Sequence, residues 1–315
     1  MIDVNQAIAG LDWSKEPQGL YAPIAYALSS GGKRLRMQLV LAGCRIAGGD
    51  EQDALPFAEA IEVFHNFTLL HDDVMDRADV RRGMPTVHVK WNDNTAILSG
   101  DQMLIEAYHL LEGVPMKHLP ELLRLFTRTA TEICEGQQYD VDFEHRNDVQ
   151  IDDYIEMIRL KTSVLLAAAL QGGAIIGGAT QAEQQALYDF GIHLGLAFQI
   201  QDDLLDCFGD EATFGKAIGG DICCNKKTYL LLTALKNADA TQRAEIRGWL
   251  AHTTPSAQKI EAMKQLYVAT GAREAAERAI AEHTQQALDC LNQLPKNDDT
   301  CHLEQMALSM AKRNS

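Results

Sequence analysis

Two clusters of aspartates in the 315-residue chain have the residue types and the spacing to hold divalent cations. They are the segments 71–76 (HDDVMD) and 201–206 (QDDLLD), and both contain the pattern DDxxD. On an α-helix, residues four apart lie on one face, about 6 Å apart along the axis, so the first and last aspartates can share a cation. Carboxylate oxygens are the protein ligands that Mg²⁺ prefers. The candidate metal ligands are Asp72, Asp73, Asp76, Asp202, Asp203 and Asp206.

A third acidic segment, 152–156 (DDYIE), has nearly the same spacing but predicts a structural role. It opens an amphipathic helix after the polar stretch 144–148, where carboxylates serve as caps and first-turn residues. A single DDxxD is most often a solvated helix face. The two clusters above instead end long apolar runs, which carry their carboxylates toward the interior, where uncompensated charge is costly. Metal binding is therefore the favoured interpretation for those two.

Basic residues gather near the aspartates although the chain carries a net charge of -16. Arginine forks and lysine ammonium groups bind phosphate oxygens, so acidic pairs beside them predict a phosphorylated substrate bridged by metal ions. The acidic net charge argues against a nucleic-acid partner, because such binding rests on many Lys and Arg contacts to phosphates. The basic groups are Lys33, Arg34 and Arg36, then Arg77, Arg81 and Arg82, and finally Lys226 and Lys227.

Helices are the elements that must position these side chains. Apolar residues recur at three- and four-residue spacing, as at Phe57, Ile61 and Phe64, and alternating strand patterns are essentially missing. We expect an all-α, single-domain helical bundle over residues 1–315, packed around a central cavity. Breaks are predicted at Gly31-Gly32 and at residues 82–85, 113–115, 144–148, 208–220 and 295–299.

The residues 162–183 are apolar enough to suggest a membrane span. Two Gly-Gly pairs and amphipathic flanks instead predict a buried central helix with a Gly break, and no stable membrane insertion. The seven cysteines are scattered and odd in number, which predicts reduced thiols. Because the first residues lack an apolar run after a basic start, we expect no signal peptide and a cytoplasmic protein.

Several segments together resemble the polyprenyl (isoprenyl) diphosphate synthase family in order and spacing over roughly residues 30–230. The resemblance implies the isoprenoid synthase fold, a homodimer, and a trans-prenyltransferase that condenses isopentenyl diphosphate with dimethylallyl, geranyl or farnesyl diphosphate. The segments are GGKRLR (31–36), FHNFTLLHDDVMDRADVRRGMPTVH (64–88), GD (100–101), GQQYD (136–140), LKTS (160–163), FQIQDDLLD (198–206) and FGKAIGGDICCNKKTY (214–229).

The resemblance also implies a role for each matching residue. Asp72, Asp76 and Asp202 would ligate three Mg²⁺ ions, supported by Asp73, Asp203 and Asp206 through water or hydrogen bonds. Thr162 and Gln199 would lie along the allylic C–O bond, Gln137 would contact substrate, and His71 would be a structural group. The allylic diphosphate would be held by Arg81, Lys161, Lys216 and Lys226. The isopentenyl diphosphate would be held by Lys33, Arg36, His65 and Arg82.

Residues on the helix before the first cluster are the candidate floor for the growing chain. Phe67 lies five residues before Asp72, with Thr68 four before it and Phe64 eight before it. A phenylalanine at the five-before position resembles the short-chain synthases, so we expect a product of fifteen to twenty carbons, with twenty preferred. The alternative is that both phenylalanines are ordinary core aromatics.

Other functions remain open from sequence alone. They are a longer-chain polyprenyl diphosphate synthase, a terpene cyclase or head-to-head synthase, and a noncatalytic subunit that binds prenyl diphosphates. The complete set of acidic and basic residues argues against the noncatalytic subunit. Departures from the family pattern are small, namely Phe214 before Gly215-Lys216 and Asn225 before Lys226.

Overall fold

The computed structural model describes residues 1–209, 218–252, 254 and 256–311, and these residues are mostly helical. The elements up to the first long connection are α1 (Val4–Ala9), α2 (Gln18–Ser29), α3 (Leu35–Ile46), α4 (Glu51–Met75), β1 (Val80–Arg81), β2 (Met84–Pro85), α5 (Val87–Lys90), α6 (Asp93–Leu111) and α7 (Leu119–His145). The next are α8 (Ile151–Ile158), a π-helical segment (Arg159–Ser163), α9 (Val164–Gly177) and α10 (Gln181–Phe208). The last are α11 (Gly220–Cys223), α12 (Tyr229–Asn237), α13 (Ala240–Leu250), α14 (Ala257–Ala269), α15 (Ala272–Leu291) and α16 (Asp298–Ala311).

The chain divides into two compact units. The first comprises Met1–Thr127 with Ala168–Leu187, and the second comprises Arg128–Ala167 with Tyr188–Ser315. Both are built from helices, so the all-α prediction is confirmed. The single domain and its central cavity stay predictions.

The core of the first unit forms around α4. Phe57, Ile61 and Phe64 are buried on this helix at the spacing that the sequence predicted. Helix α4 packs against α3 and α6. Its 25 residues end at Met75, so the packed face of the helix carries the first aspartate cluster at its C-terminal end.

The predicted Gly break in the apolar segment lies at the second Gly-Gly pair. Helix α9 continues through Gly172 and Gly173 and ends at Gly177, before Gly178 with φ 83°. A Cβ at Gly173 would lie 1.9 Å from the carbonyl oxygen of Val40. The first pair therefore serves close helix packing, and only the second pair ends the helix.

The same apolar helix bears on the membrane prediction. Among the described residues, one stretch, Ile151–Gly177, is long and apolar enough to cross a bilayer. Of its apolar window, 78% is buried inside the protein, as is usual for a core helix.

The second unit has its own core, which packs α8, α10, α12, α14 and α15 together. Large members of this core are Tyr154, Ile200, Leu230, Met263 and Tyr267. Tyr154 and Ile200 lie on the two helices that carry the site residues described below. The packing of α8 against α10 thus fixes the second aspartate cluster.

The decoy segment caps α8, as predicted. The backbone N–H of Gln150 donates to Asp153 Oδ2 at 2.9 Å, which completes a capping box. The six predicted breaks also lie at or between helix ends; for 208–220 this holds for the described residues on each side.

Candidate active site

The first aspartate cluster lies at the C-terminal end of α4. Asp72 and Asp73 belong to its last turn, and Asp76 is the C-cap residue whose N–H donates to the carbonyl of Asp72 at 2.8 Å. Asp73 is buried, Asp72 is half-buried and Asp76 is exposed. The spacing therefore gives Asp72 and Asp76 access to solvent while Asp73 points into the protein.

Asp73 is neutralised by an arginine from the hairpin that follows α4. Arg81 donates from Nε at 2.8 Å and from Nη2 at 2.7 Å, both to Asp73 Oδ1. The hairpin turns through Arg82 and Gly83, with φ of 52° and 77°. Positive φ at both central residues is the geometry of a two-residue hairpin turn with the right-handed twist. Arg81 is therefore held beside the cluster by its own backbone.

The GGKRLR segment meets the hairpin through Arg82. Arg82 Nη1 donates to the carbonyl of Gly31 and lies 3.4 Å from Ser30 Oγ. A Cβ at Gly32, whose φ is 121°, would lie 2.9 Å from the guanidinium carbon of Arg82. Gly32 is thus needed for its conformation, and its missing side chain leaves room for the Arg82 guanidinium. Lys33 next to it is exposed.

A second basic group pairs Arg36 with His65. Arg36 Nη1 lies 3.0 Å from His65 Nε2, and both side chains are half-buried. Burial lowers the pKa of His65 well below its ordinary value of 6.5, and Arg36, Arg82 and Arg81 lower it further. The imidazole is therefore neutral. Burial likewise lowers the pKa of Arg36 to about 10.

Arg34, the middle basic residue of GGKRLR, is part of the framework. It is buried with Nη1 2.9 Å from Glu62 Oε1, and it donates to the carbonyl of Leu28 at 2.5 Å. Asn66 Nδ2 also donates to Glu62 Oε1 at 3.1 Å. This network ties α4 to the start of α3, and so positions the pair of Arg36 and His65.

An aromatic ladder lies below the first cluster along α4. The rings of His71 and Phe67 are 4.8 Å apart, those of Phe67 and Phe64 are 5.5 Å apart, and Phe126 follows at 5.2 Å from Phe64. Phe64 is buried, whereas Phe67 and Thr68 are half-buried. Thr68 Oγ1 donates to the carbonyl of His65 at 2.8 Å. The three residues predicted to limit the product length, Phe64, Phe67 and Thr68, thus all lie on α4 within eight residues before Asp72.

His71 packs against α6 through the GD segment. Its Nε2 lies 3.1 Å from the carbonyl oxygen of Ile97. A Cβ at Gly100 would lie 2.2 Å from that same nitrogen, so only glycine fits there. These contacts support the structural role predicted for His71.

The second cluster lies within α10, and its middle aspartate is buried. Tyr154 on α8 donates its hydroxyl to Asp203 Oδ2 at 2.5 Å, and Gln199 Nε2 lies 3.4 Å from Oδ1. Burial and the charge of Asp221 raise the pKa of Asp203 to about 7, against the opposing effects of Lys226 and the two hydrogen bonds. Asp202 is half-buried.

Asp206 faces the turn that begins α11. The N–H of Asp221 donates to Asp206 Oδ2 at 3.0 Å, and the N–H of Gly219 donates to its carbonyl at 2.7 Å. Burial and the charge of Asp221 raise its pKa to about 6. Burial and the neighbouring carboxylate of Asp221 thus disfavour the charged forms of both Asp203 and Asp206.

The π-helical segment carries Lys161 and Thr162. Lys161 Nζ lies 2.7 Å from Asp140 Oδ2 on α7, and Thr162 Oγ1 donates to Gln199 Oε1 at 3.1 Å. π-helical turns inside helices occur frequently at functional sites. A Cβ at Gly136 would lie 2.4 Å from the backbone nitrogen of Lys161. The glycine of GQQYD therefore lets α7 approach the π segment.

The remaining site residues predicted from the sequence are Gln137, Lys216 and Lys226, and Lys226 acts on Asp140. Burial alone would raise the pKa of Asp140, but the nearby ammonium groups of Lys226 and Lys161 lower it below its ordinary value. Lys226 is exposed and Gln137 is half-buried. Lys216 lies outside the described residues.

The comparisons with known proteins agree with this geometry. A family model described as polyprenyl synthetase matches residues 17–267. The chain belongs to the polyprenyl synthetase family. It is 42% identical to geranylgeranyl diphosphate synthase of Methanosarcina mazei, over 74% of this chain and 72% of the relative. It is 37% identical to geranylfarnesyl diphosphate synthase of Natronomonas pharaonis, over 99% of this chain and 95% of the relative. A crystal structure of a geranylgeranyl pyrophosphate synthase matches with a TM-score of 0.92 and 47% identity, covering 99% of this chain and 96% of that one.

The family membership confirms the recognition made from the motifs. The chain is a trans-prenyltransferase of the polyprenyl synthetase family, with the all-α isoprenoid synthase fold. The prediction of an enzyme therefore holds over that of a noncatalytic subunit. The roles of individual residues stay predictions.

Sequence reasoning on this polyprenyl synthetase missed a buried lysine that shapes the turn before Lys226. Lys259 is fully buried and donates to Asn225 Oδ1 at 2.7 Å, to the carbonyl of His252 at 2.8 Å and to that of Cys223 at 3.4 Å. Asn225 has φ 57° and its Nδ2 donates to the carbonyl of Leu250 at 2.9 Å.

The three donors of Lys259 therefore meet three acceptors and fix Asn225 in the left-handed conformation. No motif marks Lys259, which lies beyond the matching segments. Tyr154 was also missed, although it lies inside the decoy segment, because its contact with Asp203 joins residues 49 positions apart.

The donor chemistry of both clusters fits magnesium. Among the described residues, no three His, Cys, Asp or Glu side chains form a ready metal cage. Mg²⁺ usually keeps several waters and binds through one or two carboxylates plus substrate phosphates, so a closed cage is not required. Burial first, and then the charge of Asp221, raises the pKa of Asp203 and Asp206, and a bound cation would favour the charged form of both carboxylates.

Proposed function

We propose that this polyprenyl synthetase condenses isopentenyl diphosphate with allylic diphosphates in a Mg²⁺-dependent reaction, giving geranylgeranyl diphosphate, a twenty-carbon product. The single observation that carries the proposal is the pair of DDxxD clusters. One lies at the C-terminal end of α4 and the other within α10, and basic side chains lie near both. Carboxylates alone would repel a diphosphate, so the clusters act through cations. Three Mg²⁺ ions are expected.

Asp72, Asp76 and Asp202 would ligate the metal, with Asp73, Asp203 and Asp206 orienting them. When bound, Mg²⁺ stabilises the negative charge that develops on the leaving diphosphate. Asp73 keeps its ion pair with Arg81 and so holds this guanidinium toward the same diphosphate. Asp203, which accepts a hydrogen bond from Tyr154, would likewise hold the second aspartate cluster in position.

The residues of the π segment would stabilise the cation formed when the allylic C–O bond breaks. Thr162 and Gln199 are hydrogen-bonded, so their oxygen dipoles are fixed before the reaction begins. Lys161, Lys226 and Lys216 would bind the departing diphosphate. Gln137 would contact the substrate from α7. The double bond of isopentenyl diphosphate attacks the allylic cation, and the proton lost from the new product passes to the diphosphate, so neither a protein nucleophile nor a protein base is required.

The basic groups of the first unit would bind isopentenyl diphosphate. Arg36, His65 and Arg82 are linked through the contacts and charges described above, and Lys33 is exposed next to them. A neutral His65 can donate one hydrogen bond to a phosphate oxygen while accepting another from Arg36. The charges of Arg36 and Arg82 repel each other, and a bound anion would reduce this repulsion, which supports the assignment.

The aromatic ladder supports the proposed product length. Phe67, half-buried one turn below Asp72, would stop the growing chain, with Thr68 and Phe64 shaping the same floor. The related proteins are named for a twenty-carbon and a twenty-five-carbon product. We therefore place twenty carbons first and twenty-five second.

The experiment is incubation with Mg²⁺, isopentenyl diphosphate and each allylic diphosphate, followed by mass spectrometry of the products. The wild type is expected to stop at twenty carbons, and Phe67→Ala is expected to lengthen the product by at least one five-carbon unit. Tyr139→Ala, which truncates an exposed aromatic, is the control and should leave the length unchanged. Failure of every starter to condense would favour a subunit that only binds prenyl diphosphates.

We also propose a cytoplasmic homodimer that joins through α6. Ile97, Leu98 and Ile105 on this helix are 43%, 59% and 60% exposed, which is unusual for large apolar side chains on one helix. Leu98→Glu with Ile105→Glu should convert the dimer to a monomer in light scattering after size-exclusion chromatography. An unchanged mass would place the interface elsewhere.

A further inference from the structure

A pocket of about 800 Å³ in the second unit plays no part in the proposed reaction. It is lined by residues from the end of α7, from the connection into α12, and from α12 and α13. None of the DDxxD aspartates lines it. Part of its wall is aliphatic, and the partly exposed leucines there are Leu235 and Leu250.

The charged lining of this pocket is mostly basic, although the whole chain is strongly acidic. Lys227, Lys236, Arg243 and Arg247 line it, and Glu144 is the one acidic side chain among the described lining residues. Four positive charges and one negative charge beside leucines fit an anion that carries an apolar tail. A nucleotide or a free sugar phosphate would leave the leucines without a partner.

The basic groups are arranged on fixed elements. Arg243 and Arg247 are four residues apart on α13 and so share a face. Arg243 Nη2 donates to the carbonyls of Ala238 at 3.0 Å and Leu235 at 3.2 Å, which anchors α13 to the end of α12. Arg247 and Lys236 are exposed at the pocket and are the groups best placed to meet a ligand.

We propose that this pocket binds a second prenyl diphosphate molecule, with its diphosphate among Lys227, Lys236 and Arg247 and its isoprenoid chain on the leucines. The identity of the ligand rests on the proposed function, since geranylgeranyl diphosphate is then the amphiphile that the enzyme itself releases. Because protein cations bind the diphosphate here, this site needs no Mg²⁺, in contrast to the DDxxD clusters.

The pocket borders the turn that carries Lys226. Cys224, Asn225 and Lys227 line the pocket, while the charge of Lys226 acts on Asp140, Asp203 and Asp206. Neighbouring lysines thus serve opposite sides of one turn, and Lys259 fixes that turn through Asn225. An occupied pocket therefore slows condensation in a way that excess substrate does not reverse.

The test is calorimetric titration of the full-length protein with geranylgeranyl diphosphate in EDTA, which removes Mg²⁺. One site per chain is expected, and Lys236→Glu with Arg247→Glu should weaken it by about tenfold or more, the loss of charge-assisted hydrogen bonds. Lys117→Glu with Lys296→Glu makes the same change in net charge at exposed positions away from the pocket and should bind as the wild type does. Inorganic diphosphate should bind more weakly because it has no tail.

Kinetics separate this site from the reaction. The pocket variant should keep the wild-type kcat and KM but lose inhibition by added geranylgeranyl diphosphate at saturating substrate. No binding in EDTA, equal binding by wild type and pocket variant, or equal affinity for inorganic diphosphate would each overturn the proposal. Cosedimentation with phosphatidylglycerol vesicles in the absence of binding to free product would also overturn it, in favour of a membrane surface. If the protein condenses the substrates but binds no geranylgeranyl diphosphate in EDTA, the second site is disproved and the proposed function stands. If it binds geranylgeranyl diphosphate in EDTA but condenses nothing, the proposed function is disproved and the second site stands.

Discussion

Asp73 and Asp203 hold the same position in the two DDxxD clusters, but they are stabilised in different ways. Asp73 forms an ion pair with Arg81 at 2.7 Å, among the arginines of the first unit. Asp203 accepts a hydrogen bond from Tyr154, and burial together with Asp221 raises its pKa to about 7.

Burial and the nearby charges of Arg36, Arg82 and Arg81 lower the pKa of His65, whereas burial and the charge of Asp221 raise the pKa of Asp203 and Asp206. The comparison teaches that an identical sequence pattern does not imply an identical electrostatic environment. We therefore expect the second cluster to depend more on a bound cation than the first.

The largest expected effect is common to both clusters. Asp72→Asn and Asp202→Asn should each reduce the rate of condensation by about a thousandfold or more, because each removes a metal-ligating carboxylate. Asp152→Asn in the decoy segment should leave the rate within about twofold, since its helix start needs only caps. Initial rates with saturating Mg²⁺ provide the measurement. A wild-type rate in Asp72→Asn or in Asp202→Asn would show that the cluster carrying that aspartate is not required for condensation.

The next effect tests the ion pair of the first cluster. Arg81→Met should lower the free energy of unfolding by about 2–3 kcal/mol, because it leaves the buried carboxylate of Asp73 without its cation. Arg77→Met breaks an exposed pair with Asp93, also 2.7 Å long, and should cost less than about 1 kcal/mol. Urea denaturation of both variants measures the difference. Equal losses would mean that Asp73 is not stabilised by burial of this pair.

The hydrogen bond of the second cluster should contribute less. Tyr154→Phe should cost about 1–2 kcal/mol of unfolding free energy, the penalty for a buried acceptor that loses its donor. Tyr139→Phe removes an exposed hydroxyl and should be neutral. If Tyr154→Phe proved as damaging as Arg81→Met, the contrast between the two clusters would disappear.

The smallest effect at neutral pH concerns His65, which is half-buried beside Arg36, Arg82 and Arg81. The native His65 imidazole stays neutral while the unfolded one is protonated below its ordinary pKa of 6.5. The unfolded state then binds more protons, so stability decreases as the pH falls below that value. His65→Gln should reduce this slope by about 1.4 kcal/mol per pH unit below about pH 6. Denaturation curves at several acidic pH values measure the slope, and an unaltered slope would show that His65 titrates normally.

Much of the fold and site was predictable because local patterns carry it. The apolar spacing on α4 predicted both its buried face and the position of the first cluster, and Gly31-Gly32 and Arg82-Gly83 marked turns by their residue types. The decoy was distinguished from the two DDxxD clusters by its place at a helix start. In each case the deciding information lies within a few residues of the feature.

The remaining features depend on contacts between distant segments. The sequence did not show which Gly-Gly pair ends the helix, because Gly172 and Gly173 allow α9 to approach Phe57 and Val40, more than a hundred positions earlier in the chain. The pairing of Tyr154 with Asp203 joins two helices, the pairing of Lys259 with Asn225 joins a helix to a turn, and neither leaves a local pattern. The raised pKa values of Asp203 and Asp206 depend on Asp221 and burial, which spacing along the chain does not reveal.

The central claim is that the aspartate clusters act through Mg²⁺ in prenyl transfer. The most direct test is the Mg²⁺ dependence of product formation from isopentenyl diphosphate and farnesyl diphosphate, with product followed by mass spectrometry. We expect no geranylgeranyl diphosphate in EDTA and full recovery of product formation when Mg²⁺ is restored. Condensation that continues in EDTA, or no condensation at any Mg²⁺ concentration, would contradict it.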